Sequence, residues 1–435
     1  MKTSAPRRPA PKTAQRDHRP LAARAPKAAP APGYAHAFVH ADKERSLARR
    51  HPWLFASGIE RVVGTPAPGE TIALVDQAGG FIAWAAWSPQ SSIRARIWSF
   101  DPADRIDDAW FAARVQRAVA RRRHLRHRTD AIRLVCGEAD ALPGLVVDQY
   151  GQQLVIQCLS VGIDTHRETL IDALVSATGC QDVYERSDAS VRSREDLPPF
   201  NGLRRGAMPT APIPIEEDGV RYEVDVLQGH KTGFYIDQRD NRLAVRHEVE
   251  RLVQERPGQA IQVLNAFAYT GGFSLAALAG GAHSALTVDS SAEALAGAQR
   301  NAQRNGWGQE QLPVEQADVF ALLSRCALEQ RRFDLIVLDP PKFAPAAAHL
   351  DRAARAYKEI NRKALSLLSS GGALFTFSCS GAVNADLFQK IIAAAVIDSG
   401  VDCSLVRRLG AGTDHPIAMT HPEGEYLKGL LLRRD

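Results

Sequence analysis

Strand-like and helix-like segments alternate through the C-terminal half of the chain, and few folds satisfy that order. Apolar runs of strand length occur at 261–267 (IQVLNAF), 285–289 (ALTVD), 334–339 (DLIVLD) and 373–378 (ALFTFS). Helical periodicity covers Phe273 to Gly280, Ala292 to Asn305, Leu350 to Leu368 and Ala385 to Ile397. Such strand–helix units imply a parallel sheet covered on both faces, because each parallel connection must cross over the sheet. SLVRRLG (404–410) and YLKGLLLR (426–433) read as two further strands. Ligands of open α/β sheets bind outside the carboxyl ends of the strands. The residues that end each strand are therefore the first candidates for a site.

The chain has 435 residues, enough for two or three domains. The α/β domain is expected over 216–435. Short strands with turns fill much of 35–110, where Trp53, Phe55, Trp84, Trp87 and Trp98 are expected to build a small β core. Aromatics interleaved with Arg94 and Arg96 would alternatively face RNA bases. Over 111–215 a basic helix leads into a small α+β domain: strand, hairpin, a helix near 166–176, then DVYER as a strand, with LPPFNG read as loop. Eight arginines fall within 114–133, opposed locally by Asp130 alone. Arg121, Arg122, Arg123 and Arg126 are the candidate RNA phosphate contacts; a solvated helix face is the plainer reading of the same run.

The net charge of +5 belongs to the tail. Residues 1–33 carry eight Lys/Arg and one Asp, leaving 46 basic and 48 acidic residues for the remainder. A Pro/Ala-rich basic segment (1–34) cannot bury a core and is expected to be disordered, either an arm for polyanions or a solvated extension. Its prolines break the amphipathic helix that a transit peptide needs. No apolar run approaches the ~20 residues of a membrane span, and no secretory h-region follows Met1. The six cysteines form no C-x2-C or C-x4-C pair, which speaks against structural zinc. Free thiols in the cytoplasm, with no metal, are the expectation.

Asn265, Phe267, Tyr269, Thr270 and Gly271 follow the first strand of the α/β domain. Glycines at a strand-to-helix turn allow close backbone approach to a ligand, but G-x-G-x-x-G is absent. Asp289, followed by Ser290, ends the second strand, where a carboxylate can accept from ribose hydroxyls. Asp318, after the third strand, can accept from an adenine amine, or simply cap the next helix. Two such acceptors without a pyrophosphate cradle suit S-adenosyl-L-methionine better than NAD. Asp339-Pro340-Pro341 makes a rigid turn in which neither proline offers an N–H, and Lys342 adds a cation. Cys379 ends the last parallel strand.

Together these residues resemble a class I S-adenosylmethionine methyltransferase. LQGHKTGFYIDQRDNR, NAFAYTGGFS, DPPKF, SCS and HPEGEYLKGLLLR resemble, as a set, the bacterial 23S rRNA cytosine-5 methyltransferases with an N-terminal PUA domain. HPWLFASGIERV resembles the start of that PUA domain, and GEADALPGLVVDQYG with YERSD the family's central domain. The resemblance spans about 36–435. It implies a Rossmann-like, seven-stranded sheet with its last strands antiparallel, preceded by a PUA-like β-barrel and an α+β domain. It further implies S-adenosyl-L-methionine as cofactor and rRNA as partner, with Lys231, Thr232 and Gln238 leaning over the cofactor. His230 reads as a loop residue or a substrate contact, and Glu423-Gly424 as the turn into the last strand, near the Cys379 loop or a plain hairpin.

The chemistry implied gives the thiol a role. Cytosine C5 is a poor nucleophile until a thiolate adds to C6. Cys379 would be that nucleophile, with Ser378, Ser380 and Lys342 favouring the thiolate and Asp339 gripping the amine and N3 edge. Many other RNA cytosine-5 methyltransferases carry a second cysteine where Lys342 stands; the resembled family lacks it too. A guanine or exocyclic-amine methyltransferase needs no such thiol. An RNA-binding ribosome assembly factor would need neither the thiol nor the acids. A uracil-5 methyltransferase typically shows S-C-N-P, which SCSG does not match.

Overall fold

The computed structural model describes residues 33–343 and 347–435, so the expectation for the basic tail lies almost wholly outside the described residues. The α/β domain carries seven strands, designated β1 (Gln262–Ala266), β2 (Ser284–Asp289), β3 (Val314–Gln316), β4 (Phe333–Leu338), β5 (Leu368–Ser378), β6 (Cys403–Leu409) and β7 (Lys428–Arg434). Their order in the sheet is β3-β2-β1-β4-β5-β7-β6. Strands β1 to β5 are parallel; β7 inserts between β5 and β6 and runs antiparallel to both. The order reverses beside β1, between β2 and β4, which is where such sheets open a crevice for ligands.

Helices α1 (Arg239–Glu255), α2 (Gly272–Ala279), α3 (Ala292–Arg304), α4 (Val319–Leu328), α5 (Leu350–Leu367) and α6 (Ala385–Ser399) cover the faces. Two apolar clusters result. One packs Val263, Leu335 and Phe375 against Leu252 and Leu275; the other packs Leu264, Ile336 and Leu374 against Leu323, Ile360 and Ile392. Alternate residues of one strand thus feed opposite cores, as period-two geometry requires.

N-terminal to α1 are three further sheets, the last a two-stranded hairpin of Ile213–Glu217 and Val220–Val224. Six strands between His36 and Ser99 form the first, and Ala131–Cys136, Leu145–Tyr150, Gln153–Cys158, Asp182–Ser187 and Phe200–Arg205 form the second. Helix Asp108–Arg121 joins them, and its Val115 and Val119, with Leu125 beyond, are buried as the apolar stripe suggests. Trp84, Trp87 and Trp98 are core residues, whereas Phe55 is exposed. Phe200–Arg205, expected as loop, is an edge strand antiparallel to Asp182–Ser187. The preceding Pro198-Pro199 and the short Asn-Gly step hide a strand that has no fully buried residue. All six cysteines are free thiols. Among the described residues, no helix is long and apolar enough to cross a membrane.

Candidate active site

The ends of β1, β2, β4 and β5 open onto one cavity of about 450 Å³, within the range of small-ligand sites. The segment before α1 closes it from the other side with His230, Lys231, Tyr235, Asp237 and Gln238. Of the sequence-predicted residues, Lys231, Gln238, Phe267, Tyr269, Thr270, Asp289, Ser290, Asp339, Lys342 and Cys379 all line this space.

The turn after β1 is unusual in its backbone. Phe267 and Tyr269 adopt left-handed conformations, with φ of 60° and 49°, as does Lys231 at 55°. Non-glycine residues seldom do so unless surrounding structure holds them. Asp289 holds this one. Its Oδ2 accepts the Tyr269 N–H at 2.8 Å and its Oδ1 accepts the Ser291 N–H at 2.9 Å. The two bonds use part of the carboxylate's capacity and leave lone pairs for a ligand. Gly271 (φ 79°) lies behind the turn: a Cβ there would stand 2.9 Å from Ala298 Cβ. Glycine is needed at 271 for packing, not for contact with the cavity.

At the end of β4, Gln238 Nε2 donates to Asp339 Oδ2 at 2.9 Å, and Asn241 Nδ2 donates to Gln238 Oε1, fixing the amide. Burial, then the charge of Asp237, push the Asp339 carboxyl up to about 7. Asp237 behaves oppositely. Burial works against its charge, yet Lys231 (Nζ at 3.0 Å), His415 and the Tyr426 hydroxyl (2.6 Å) together hold it well below the usual carboxylate range. Two neighbouring acids with their titrations pushed apart are a mark of functional sites.

Cys379 is half-buried at the end of β5, its Sγ 4.0 Å from the Pro340 carbonyl. Burial, then Asp339, push the thiol above its ordinary value, against smaller opposing effects of Lys231 and Lys342. Ser378 and Ser380 do not favour the thiolate as expected. Ser378 Oγ donates to the Tyr357 hydroxyl at 3.0 Å, and that hydroxyl lies 3.1 Å from Ser380 Oγ, so both tether the loop. Ser378 pairs with Lys428 across β5 and β7, and the buried Lys428 ammonium donates to the Ser380 and Tyr426 carbonyls at 2.9 Å each.

Other expectations need correction. Thr232 is buried and faces the central domain, donating to Asp148 Oδ2 at 2.5 Å beside the Tyr150 hydroxyl. Asn265 is buried beneath the sheet end, with Nδ2 donating to Ser274 Oγ. Asp318 is exposed and caps α4 through Ala321 N–H at 2.9 Å, outside the cavity lining. Arg122 is no phosphate contact: it is buried, its guanidinium forked onto Asp140 at 2.7 and 2.8 Å. Arg96 is likewise buried on Glu195. Arg121, Arg123 and Arg126 remain exposed. Glu423 lies outside the cavity lining, and Asp237, Tyr235 and Tyr426, which sequence reasoning did not single out, belong to it. Asp237 sits inside the IDQRDNR motif that drew attention to Gln238, so its signal was adjacency alone.

The cavity fits an adenosyl sulfonium. Carboxylates at 237, 289 and 339 suit ribose hydroxyls and a cation, and the rings of Phe267, Tyr269 and Tyr235 suit a base and a sulfonium methyl. A family model described as S-adenosylmethionine-dependent methyltransferase matches residues 205–431, just over half the chain, and one of PUA-like domains matches 38–100. The fold and site are those of an S-adenosylmethionine-dependent methyltransferase with an N-terminal PUA-like domain. Ribosomal RNA large subunit methyltransferase I of Escherichia coli O157:H7 is 45% identical over 393 residues, 90% of this chain and 97% of the relative. Its namesake from Shigella boydii serotype 4 matches to the same extent. The chain belongs to the ribosomal RNA large subunit methyltransferase I family. In fold it is similar to a chain described as a SAM-dependent methyltransferase from Streptococcus mutans (TM-score 0.76, 20% identity, 92% of this chain and 99% of that one). It is equally similar to a methyltransferase crystallised with SAH (TM-score 0.76, 21% identity, the same coverage).

Proposed function

We propose that this protein methylates C5 of a cytosine in large-subunit (23S) rRNA, in the cytoplasm, through a transient bond between Cys379 Sγ and C6 of the base. The observation that carries the reading is that Cys379, alone among the cysteines of the described residues, lines the cavity, with its Sγ 4.0 Å from the carbonyl of Pro340 in the Asp339-Pro340-Pro341 turn. The relatives' names and the PUA-like domain support rRNA as the substrate. The cofactor, when bound, supplies an electrophilic methyl group.

The residues divide the work as follows. Cys379 gives its proton to a water, its sulfur bonds to C6, and the electron pair of C5=C6 moves onto C5, which becomes the nucleophile. Asp339 receives the exocyclic amine and N3 edge; titrating near 7, it can hold or release a proton at neutral pH. After C5 is methylated, Asp339 or a water removes the C5 proton, the electrons restore C5=C6, and the Cys379 thiolate leaves. Tyr357, through Ser378 and Ser380, and Lys428, through the Ser380 carbonyl, keep the thiol loop in place. The raised thiol favours one alternative, amine methylation without a covalent step. Bisulfite mapping of rRNA from a strain lacking the protein separates the two. Loss of a single 5-methylcytosine, restored by the wild-type chain and not by Cys379→Ala, is the expected result. Unchanged 5-methylcytosine with a lost N-methyl group defeats the reading.

A further inference from the structure

Where the PUA-like domain meets the methyltransferase domain, three side chains converge from segments about 370 residues apart. His51 Nε2 lies 3.4 Å from both oxygens of Glu423, and His421 Nδ1 lies 3.1 Å from Glu423 Oε2. The three donor atoms are within 4.8 Å of one another. None of the three residues lines the catalytic cavity.

Two independent features mark a cation site. The first is spacing. A four-coordinate zinc ion with Zn–N and Zn–O bonds of about 2.0–2.1 Å holds its ligand atoms roughly 3.3 Å apart, the edge of the tetrahedron. The nitrogen-to-oxygen spacings in the cluster bracket that value. The second is a buried nitrogen without a hydrogen bond. His421 is only 5% exposed, and its Nδ1, though close to the carboxylate, makes no hydrogen bond to it. A cation between the two atoms satisfies both.

The surroundings hold the ligands still. His51 Nδ1 accepts the Trp53 N–H at 3.2 Å and lies 3.2 Å from the Trp53 carbonyl, which holds the ring with Nε2 facing Glu423. The Trp53 ring packs against His421 with centroids 4.3 Å apart, and its Nε1 donates to Glu138 at 2.8 Å. Both histidines precede proline, which restricts their backbone toward extended conformations. Two imidazoles and one carboxylate form a donor set that suits zinc, with the half-exposed Glu423 side leaving room for water as the fourth ligand.

We propose that His51, His421 and Glu423 bind a zinc ion that ties the PUA-like domain to the methyltransferase domain. The expectation of no metal followed from the absence of cysteine pairs; this set contains no cysteine and is joined only by the fold.

The test titrates chelator-treated, tag-free full-length protein with cobalt(II) and reads the visible absorption of four-coordinate cobalt. Saturation at one ion per chain, reversed by zinc, is expected, with apparent affinity at least tenfold weaker in His421→Ala. Glu423→Gln, at a half-exposed position that leaves the core untouched, should show the same loss while binding SAH as the wild type does. Failure of wild-type protein to saturate at one ion, or equal cobalt affinity in Glu423→Gln, overturns the proposal.

Discussion

Asp289→Ala should weaken cofactor binding more than any other single change at the end of β2. In the structure the carboxylate accepts two backbone N–H groups, from Tyr269 and Ser291, and still opens onto the cavity. Hydrogen bonds to a charged group are worth roughly 1.5–3 kcal/mol each. Losing one such bond to a ribose hydroxyl therefore weakens SAH binding by about 10- to 150-fold at ~1.4 kcal/mol per decade. The turn adds to this. Phe267 and Tyr269 hold left-handed backbones that cost about 1–2 kcal/mol each, and the Tyr269 N–H bond to Asp289 helps to pin them. Asp289→Asn should fall between, because its one carbonyl oxygen can serve Tyr269 or Ser291 while its NH2 opposes the other N–H. Isothermal titration with SAH, with circular dichroism to confirm folding, measures the effect. A folded Asp289→Ala protein that binds SAH within threefold of wild type would refute the reasoning.

Further outcomes follow from the structure. The Cys379 thiol sits above its ordinary value, so its thiolate fraction, and its alkylation by iodoacetamide, should rise with pH through 8.5 without levelling. Asp339→Asn removes one of the charges that push the thiol up and should shift that rise to lower pH; a wild-type plateau below pH 8, read by peptide mapping, contradicts this. Arg122→Ala should destabilise the protein by about 3 kcal/mol, the low end for breaking a buried pair, because it leaves the buried Asp140 with only the longer Arg121 contact at 3.4 Å and the Cys136 N–H. Arg123→Ala and Arg126→Ala should leave stability unchanged and each reduce the salt slope of RNA binding by about one; equal effects of all three on stability would sink that division.

The sheet was legible because strands β1, β2, β4 and β5 are buried on both faces and so read as apolar runs, while Asp289, Asp339 and Cys379 stand where those runs stop. Phe200–Arg205 was not, since a partly exposed edge strand beside prolines lacks such a run. The arginine segment misled for a different reason. Local charge suggested that eight cations lacked partners, yet Arg122, Arg128 and Arg133 find Asp140, Asp218 and Asp148, acids 15 to 90 residues away. Thr232, before α1, and Asn265, in β1, stand close to the cavity in the chain but are buried away from it. Side-chain direction at a turn depends on backbone geometry that composition does not reveal. Asp237 was missed because a buried acid paired with Lys231 and Tyr426 looks, in sequence, like any helix-leading aspartate.

Covalent capture is the most direct test of Cys379 as nucleophile. On an rRNA fragment carrying 5-fluorocytidine, fluorine at C5 cannot leave as a proton does, so the sulfur–C6 bond persists once methylation has occurred. With S-adenosylmethionine present, wild-type protein should form a denaturant-resistant RNA adduct that maps to Cys379, and Cys379→Ala should form none. An adduct mapped to another residue, or full 5-methylcytosine formation by Cys379→Ala, contradicts the mechanism.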